Sequence, residues 1–100
     1  MAIGDAIGDG RKVVAASATA ERLATATKCT SVCITAETDN AGIVVVGGSA
    51  VVAALATRRG IPLSAGDSVT IPVVDLDQIW LDVTVAGEGV TFIYVNDVRG

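Results

Sequence analysis

The first residues whose types and spacing suggest chemistry are two cysteines, Cys29 and Cys33. If both lie on one strand, a rise of about 3.3 Å per residue separates their Cα atoms by about 13 Å. A disulfide needs Cα atoms within about 7 Å, so a bridge along one strand is excluded. Two thiols in a chain without histidine also cannot complete a four-ligand zinc site. We therefore interpret both as small buried or half-buried side chains that stay reduced in a cytoplasmic compartment.

A second candidate is the carboxylate pair Asp75 and Asp77, with Asp67 and Asp82 nearby in the sequence. A calcium site would need about six or more oxygen ligands from a loop. The pair could also act as glycosidase carboxylates, but no aromatic-rich cleft is evident to hold a sugar. Asp-Leu-Asp before a strand is more typical of a turn with a helix cap. This interpretation predicts neither a metal site nor catalytic carboxylates here.

Two other signatures of active sites are missing from the sequence. Without histidine, the commonest general base and the usual catalytic triads cannot be built. Residues 47–49, Gly-Gly-Ser, lack the glycine spacing and the following lysine of a phosphate-binding loop, so the end of a buried strand explains them better. We therefore expect no enzyme activity, no catalytic residue, no cofactor and no metal ligand.

The charge and hydropathy of the chain exclude two classes of partner. A net charge of −4 argues against nucleic-acid binding, because such proteins normally present a basic face. The only adjacent basic pairs are Arg11-Lys12 and Arg58-Arg59, and such pairs are typical of solvated turns. No window reaches the roughly 18 consecutive apolar residues of a membrane span. The first residues also lack the basic start and apolar run of a signal peptide, so we expect synthesis and assembly in the cytoplasm.

The elements that must position these side chains are short strands. Alternation and β-branched content predict them, with turn chemistry between them every 8–12 residues. A first short run starts at Val13. The other predicted strands cover residues 22–27, 29–36, 43–46, 68–73, 79–85 and 90–96. Pro72 lacks a donor N–H, which predicts that its strand is at a sheet edge or ends there. Residues 50–59 are compatible with a helix, a loop or an irregular edge strand.

These elements predict an all-β protein with one domain. We expect a small β-sandwich (jelly-roll or immunoglobulin-like) or a small barrel of about seven or eight short antiparallel strands. The strongest hairpin signal joins residues 79–85 to 90–96, with a tight turn between them. Ala-Ile-Gly-Asp occurs twice in residues 2–9, which suggests a flexible N-terminal arm at 1–11. The sandwich domain then covers 12–96, followed by a tail at 97–100.

Trp80 is the aromatic residue that best predicts an interface. It alternates with the apolar side chains of its strand and so lies on the strand's more polar face, yet Trp is enriched in protein interfaces. Ile93 and Val95 lie opposite the Phe92 face of the next strand. Together with Trp80 they predict a second apolar surface for oligomer or partner contact. We add Arg58 and Arg59 to this interface hypothesis.

The order of several segments resembles small β-sandwich structural proteins of tailed-bacteriophage virions, the head decoration and head fibre type. The segments are VVVGG at 44–48, GIPLSAGDSV at 60–69, DLDQIWLD at 75–82 and GVTFIYV at 89–95. The resemblance covers roughly residues 22–96. It implies a structural protein on the surface of the virion capsid, often a homotrimer, that clamps neighbouring copies of the major capsid protein. It implies no catalytic residues.

Three hypotheses follow from the sequence and this resemblance. The first is a capsid decoration (cement) protein that binds and stabilises the head shell after assembly in the host cytoplasm. The second is a tail, neck or short-fibre component of the same virion. The third, from a different class, is a carbohydrate-binding module or small enzyme, which would require an aromatic or acidic cleft around Trp80. We expect a trimer or a larger assembly in solution.

Overall fold

A computed structural model describes residues 7–96, and nearly all of its regular structure is β. The two exceptions are single 3-10 turns at Leu55–Thr57 and Leu76–Gln78. The eight strands are β1 (Ile7–Val13), β2 (Glu21–Arg22), β3 (Ser31–Ala36), β4 (Val44–Gly47), β5 (Ile61–Leu63), β6 (Ser68–Ile71), β7 (Trp80–Val83) and β8 (Gly89–Val95). The predicted all-β class is confirmed.

The strands form two four-stranded antiparallel sheets. Sheet A has the order β1-β8-β3-β6, and sheet B has the order β2-β7-β4-β5. The first strand therefore pairs with the last, the second with the seventh, the third with the sixth and the fourth with the fifth. This is one long hairpin wound into two layers, which is the strand order of a jelly roll. The predicted small β-sandwich is confirmed, in its jelly-roll form.

The predicted hairpin between residues 79–85 and 90–96 is wrong. Both segments contain strands, but β7 pairs with β2 and β4 in sheet B, whereas β8 pairs with β1 and β3 in sheet A. Residues 84–88 therefore cross from one sheet to the other. Glu88 fixes this crossing, because its carboxylate accepts hydrogen bonds from the backbone N–H groups of Ala41 and Gly42. A turn signal between two strands does not specify whether they share a sheet.

The core lies between the two sheets and is built from small aliphatic side chains. Strand alternation places one face of each strand inward; in β3 it buries Val32 and Ile34 and leaves Cys33 half-buried on the outer side. The fully buried core residues that contribute most volume are Leu23, Ile34, Leu76 and Leu81, with Val14, Val32, Val44, Val46, Val83 and Val90. Burial of this apolar surface provides the main favourable free energy of folding.

Part of the predicted flexible arm lies in a strand. Residues 7–11 belong to β1, which pairs along its whole length with β8. The arm's glycines fit this position, because the rings of Phe92 and Tyr94 lie across Gly10 and Gly8, where a Cβ would collide with them. Glycine in an edge strand is thus covered by cross-strand aromatic rings. The remaining arm residues, 1–6, and the predicted tail lie outside the described residues.

An ion pair joins the two sheets at the side formed by β1 and β2. The Lys12 ammonium donates to the Glu21 carboxylate at 2.9 Å, and the backbone N–H of Ala15 donates to the other oxygen at 2.9 Å. These hydrogen bonds, that from Lys12 first, lower the pKa of Glu21 below its usual value. The connection from β1 to β2 is therefore held by a carboxylate that prefers to stay ionised.

Other local predictions have mixed outcomes. Strand β6 lies at the edge of sheet A and ends at Ile71, directly before Pro72, as predicted. Asp75 caps the turn Leu76–Gln78 by accepting from the backbone N–H of Asp77, also as predicted. The strand predicted over 22–27 is limited to Glu21–Arg22, after which the chain bends.

Candidate interaction surfaces

One corner of the outer face of sheet A carries three exposed apolar side chains. Ile7 on β1 lies directly opposite Val95 on β8, and Ile93 follows two residues away on the same face. Their exposed fractions are 64%, 37% and 50%, respectively. Cys33 of β3 lies opposite Ile93 and extends the patch across the sheet. We call Ile7, Ile93 and Val95 the apolar corner.

The remainder of the same face is polar but mostly uncharged. Thr91 and Thr35 lie opposite each other, and the Thr35 hydroxyl is 2.7 Å from the hydroxyl of Ser68 on β6. Charge is concentrated along β1, where Arg11 binds Glu37 through Nε and Nη2. This hydrogen-bonded cation lowers the pKa of Glu37, so the pair is ionised at neutral pH. A sheet face with few charges can be covered by a partner at a small desolvation cost.

The outer face of sheet B is covered by the chain's own segment 48–59. Val51 and Ala53 of this segment pack against Val45 of β4 and form a second small buried cluster, separate from the main core. This explains why β4 is buried on both faces. The sequence is compatible with a helix, a loop or an edge strand over residues 50–59. In the structure the segment is a loop with one 3-10 turn at Leu55–Thr57 and a single bridge between Val52 and Arg59.

A buried carboxylate holds this segment in place. Asp82 is 2% exposed and lies on the outer side of β7. One of its oxygens accepts from the backbone N–H of Ala53 at 2.8 Å, and the other accepts from the backbone N–H of Val83 at 2.9 Å. Alternation along the strand puts Asp82 on the same, more polar face as Trp80. No sequence signal identified it as buried, because the covering segment had no definite predicted structure.

Trp80 lies at the border of this covered region and is half-buried. It packs against the second cluster, and the guanidinium of Arg22 lies 5.1 Å from its ring centroid. An arginine at this distance makes a cation–π contact, worth about 0.5–1 kcal/mol at exposed sites. Beside the pair, an open groove is lined by Lys12, Glu21 and residues 23–25. The ring is therefore partly used within the molecule.

The structure does not bring the five predicted interface residues together. Ile93 and Val95 lie on the outer face of sheet A, whereas Trp80 lies on the outer side of sheet B. The common apolar surface expected for them is therefore not formed within one molecule. The prediction of a common surface assumes that residues 79–85 and 90–96 form a hairpin. It is wrong because β7 and β8 belong to different sheets.

Arg58 and Arg59 lie with Trp80 on the sheet B side, at the end of the covering segment. Arg58 is half-buried and its Nε donates to the carbonyl oxygen of Ala53 at 3.0 Å, while Arg59 is exposed. Near them Leu55 is 80% exposed, the largest exposed fraction among the large apolar residues described. The sequence did not single out Leu55 or Ile7. The first was in the undetermined stretch and the second in the predicted arm.

The thiols and the Asp75 carboxylate serve local structure. Cys29 is buried in the core and donates to the carbonyl oxygen of Val73 at 3.2 Å; burial, and then the charge of Asp75, raise the pKa of its thiol. Asp75 accepts from the backbone N–H groups of Asp77 and Thr27, and these bonds lower its pKa. Cys33 lies on the opposite side of sheet A from Cys29, and both are free. Within residues 7–96 no group of three or more potential metal ligands occurs.

The described part of the chain contains no helix that is long and apolar enough to cross a membrane. Comparisons of the chain with protein-family models, with curated proteins and with solved structures find no match.

Proposed function

We propose that this protein is a structural component of a tailed-bacteriophage virion, a decoration protein that binds the outside of the head shell. Two features support the proposal. The segments at 44–48, 60–69, 75–82 and 89–95 resemble such proteins, and they contain β4, β5 and β8 and parts of β6 and β7. The eight-stranded jelly roll is also an architecture used by viral capsid domains.

The observation that carries the proposal is the apolar corner on the outer face of sheet A. Ile7, Ile93 and Val95 are contiguous and solvent-exposed on a regular, mostly uncharged sheet surface. Contiguous exposed apolar surface with polar neighbours is typical of protein interaction sites. The corresponding surface of sheet B is occupied by segment 48–59, so within residues 7–96 sheet A offers the free face for a shell.

The proposal is tested with tailed-phage heads assembled without this protein. Purified wild-type protein should bind such heads with a fixed stoichiometry and raise their resistance to heat. Ile93→Lys places a charge in the apolar corner and should abolish binding, because burial of an unpaired charge is costly. Leu55→Lys is the matched control: it changes an even more exposed apolar residue on the other side of the molecule and should bind normally.

Several outcomes would overturn the proposal. Failure of the wild-type protein to bind the heads would exclude decoration, and so would equal loss of binding in both variants. Cryo-electron microscopy of intact particles adds an independent test through copy number: hundreds of copies on the head agree with decoration, and a few copies at the neck or tail indicate the alternative location.

Carbohydrate binding is less well supported by the geometry. A sugar would stack on the Trp80 ring, but this ring is half-buried and the guanidinium of Arg22 already lies over it.

A further inference from the structure

Strand β1 leaves one side of sheet A unpaired. It is the terminal strand of the sheet, and among residues 7–96 no strand other than β8 pairs with it. Its seven residues match β8 one to one, so no bulge interrupts it, and it contains no proline. Such an edge presents a row of backbone donors and acceptors, and it is a template for the strand of another chain.

The hydrogen bonds at the end of β1 show which backbone groups face outward. Val14 donates to the carbonyl oxygen of Glu88 and accepts from the N–H of Gly87, so the backbone of Val14 points toward β8. Backbone groups alternate in direction along a strand. Gly8, Gly10 and Lys12 therefore also point toward β8. The N–H and C=O groups of the other four residues point away from the sheet; these are Ile7, Asp9, Arg11 and Val13.

The order of side chains along this edge is complementary to itself. In an antiparallel pair centred on Gly10, Asp9 of one copy lies opposite Arg11 of the other, and this contact occurs twice. Ile7 of each copy lies opposite Val13 of the other. A pair centred on Asp9 or on Arg11 would instead place like charges opposite each other, which is destabilising. Centring on Gly10 is the register that pairs both charges with opposite charges.

We propose that two copies of this protein associate edge to edge through β1, antiparallel about Gly10, and join their A sheets into one continuous sheet. Four outward residues on each strand form hydrogen-bonded pairs, and each pair exchanges two N–H···O=C bonds, giving about eight in all. Arg11 contacts Glu37 through Nε and Nη2. Its guanidinium carries five donors, so Nη1 can bind the Asp9 carboxylate of the second copy.

This arrangement has twofold symmetry and closes at two copies. It therefore differs from the homotrimer implied by the resemblance to virion proteins, and measurement of the mass in solution separates the two. The inference does not depend on binding to a phage head, because it rests on the backbone edge and the charges of β1. Of the apolar corner it involves Ile7 alone, whereas Ile93 and Val95 lie on β8.

The test uses two charge variants of the full chain, Asp9→Arg and Arg11→Asp, and sedimentation equilibrium. Wild-type protein should show a monomer–dimer equilibrium. Each single variant places like charges opposite each other at two symmetric positions and should weaken dimerisation by about tenfold or more. An equimolar mixture of the two variants should form heterodimers, because arginines at 9 and 11 of one chain then face aspartates at 11 and 9 of the other.

The mixture is informative even if Arg11→Asp is less stable through its contact with Glu37, since misfolding does not produce specific association of two variants. Amide hydrogen exchange gives an independent measurement. Protection should rise with protein concentration at Ile7, Asp9, Arg11 and Val13, and should not change at Gly8, Gly10 and Lys12, which already bind β8. A wild-type monomer at all concentrations, a trimer, variants that dimerise as well as wild type, or a mixture without heterodimers would each overturn the proposal.

Discussion

The substitution Asp82→Asn removes a buried negative charge with almost no change in shape. In the wild-type protein the two carboxylate oxygens of Asp82 accept hydrogen bonds from two different backbone groups, the N–H of Ala53 and the N–H of Val83. An asparagine side chain has only one acceptor oxygen. One of the two backbone N–H groups must therefore face the amide NH2 group, which is itself a donor, and that backbone group is left without a partner.

The magnitude follows from the hydrogen bonds. A bond to a charged group contributes about 1.5–3 kcal/mol, and a buried donor without an acceptor costs about 1–3 kcal/mol. Removal of the buried charge offsets part of this loss, since an amide is less costly to desolvate than a carboxylate. We expect a net decrease in the free energy of unfolding of about 2 kcal/mol. For a domain of this size that corresponds to a decrease in Tm of roughly 8–16 °C.

The assay is thermal and urea unfolding of Asp82→Asn beside a matched control, Asp67→Asn. Asp67 is exposed and accepts one backbone N–H, from Ser64 at 3.0 Å, through a single oxygen. An asparagine there can present its carbonyl oxygen in the same way, so the control should change the unfolding free energy by less than about 0.5 kcal/mol. Limited trypsin digestion should also cut Asp82→Asn faster after Arg58 and Arg59, because the segment that carries them is released locally.

A result in which Asp82→Asn is as stable as wild type, or more stable, would refute this reasoning. It would mean that the desolvation cost of the charge outweighs its two hydrogen bonds. Unchanged tryptic cleavage together with global destabilisation would contradict the assigned role of Asp82 in holding segment 48–59.

Two further predictions concern β1 and its neighbour β2. Gly10→Ala places a Cβ 2.5 Å from Cζ of the buried Phe92 ring and should destabilise the protein by about 1–3 kcal/mol in urea unfolding. The Cβ of Gly8→Ala would collide with the half-buried Tyr94 ring. Because this ring can move toward solvent, we expect a smaller loss of stability than for Gly10→Ala. A larger loss for Gly8→Ala than for Gly10→Ala would contradict this reasoning. The pKa of Glu21 is lowered in the folded state, so its contribution to stability is complete above the usual value of 4.5 and is lost as the pH falls below it. The free energy of unfolding of Glu21→Gln should therefore be lower than that of the wild type at pH 7, and the two values should converge in acid. A difference that does not change with pH would show that the ionisation of Glu21 is not linked to folding.

Strand positions could be predicted from the sequence where one face is clearly apolar. The alternation in 68–73, 79–85 and 90–96 located β6, β7 and β8, and the β-branched run at 43–46 located β4. The ends were less accurate, because residues at strand ends keep the alternation after pairing has stopped. The pairing of the strands could not be predicted from the sequence, because it depends on contacts between distant segments. Val95 pairs with Ile7, for example, and nothing local to either residue indicates this.

The candidate surfaces were predicted only in part. Ile93 and Val95 were identified because they alternate with Phe92, and they are exposed as that pattern requires. Ile7 was assigned to the flexible arm because glycines surround it, yet those glycines make room for aromatic rings of β8. Burial of the outer side of β7 was missed for a related reason. It depends on segment 48–59, which has little regular structure and covers the sheet by tertiary packing.

The position of β8 in sheet A determines when this molecule can fold during translation. Of the eight strands, β8 leaves the ribosome last, yet it lies inside sheet A between β1 and β3. Until it emerges, β1 has no partner, and the inner faces of β3 and β1 remain open to water. Non-local pairing of this kind folds slowly and leaves apolar strands exposed meanwhile. The nascent chain therefore cannot complete sheet A, or close the core between the two sheets, until β8 has emerged.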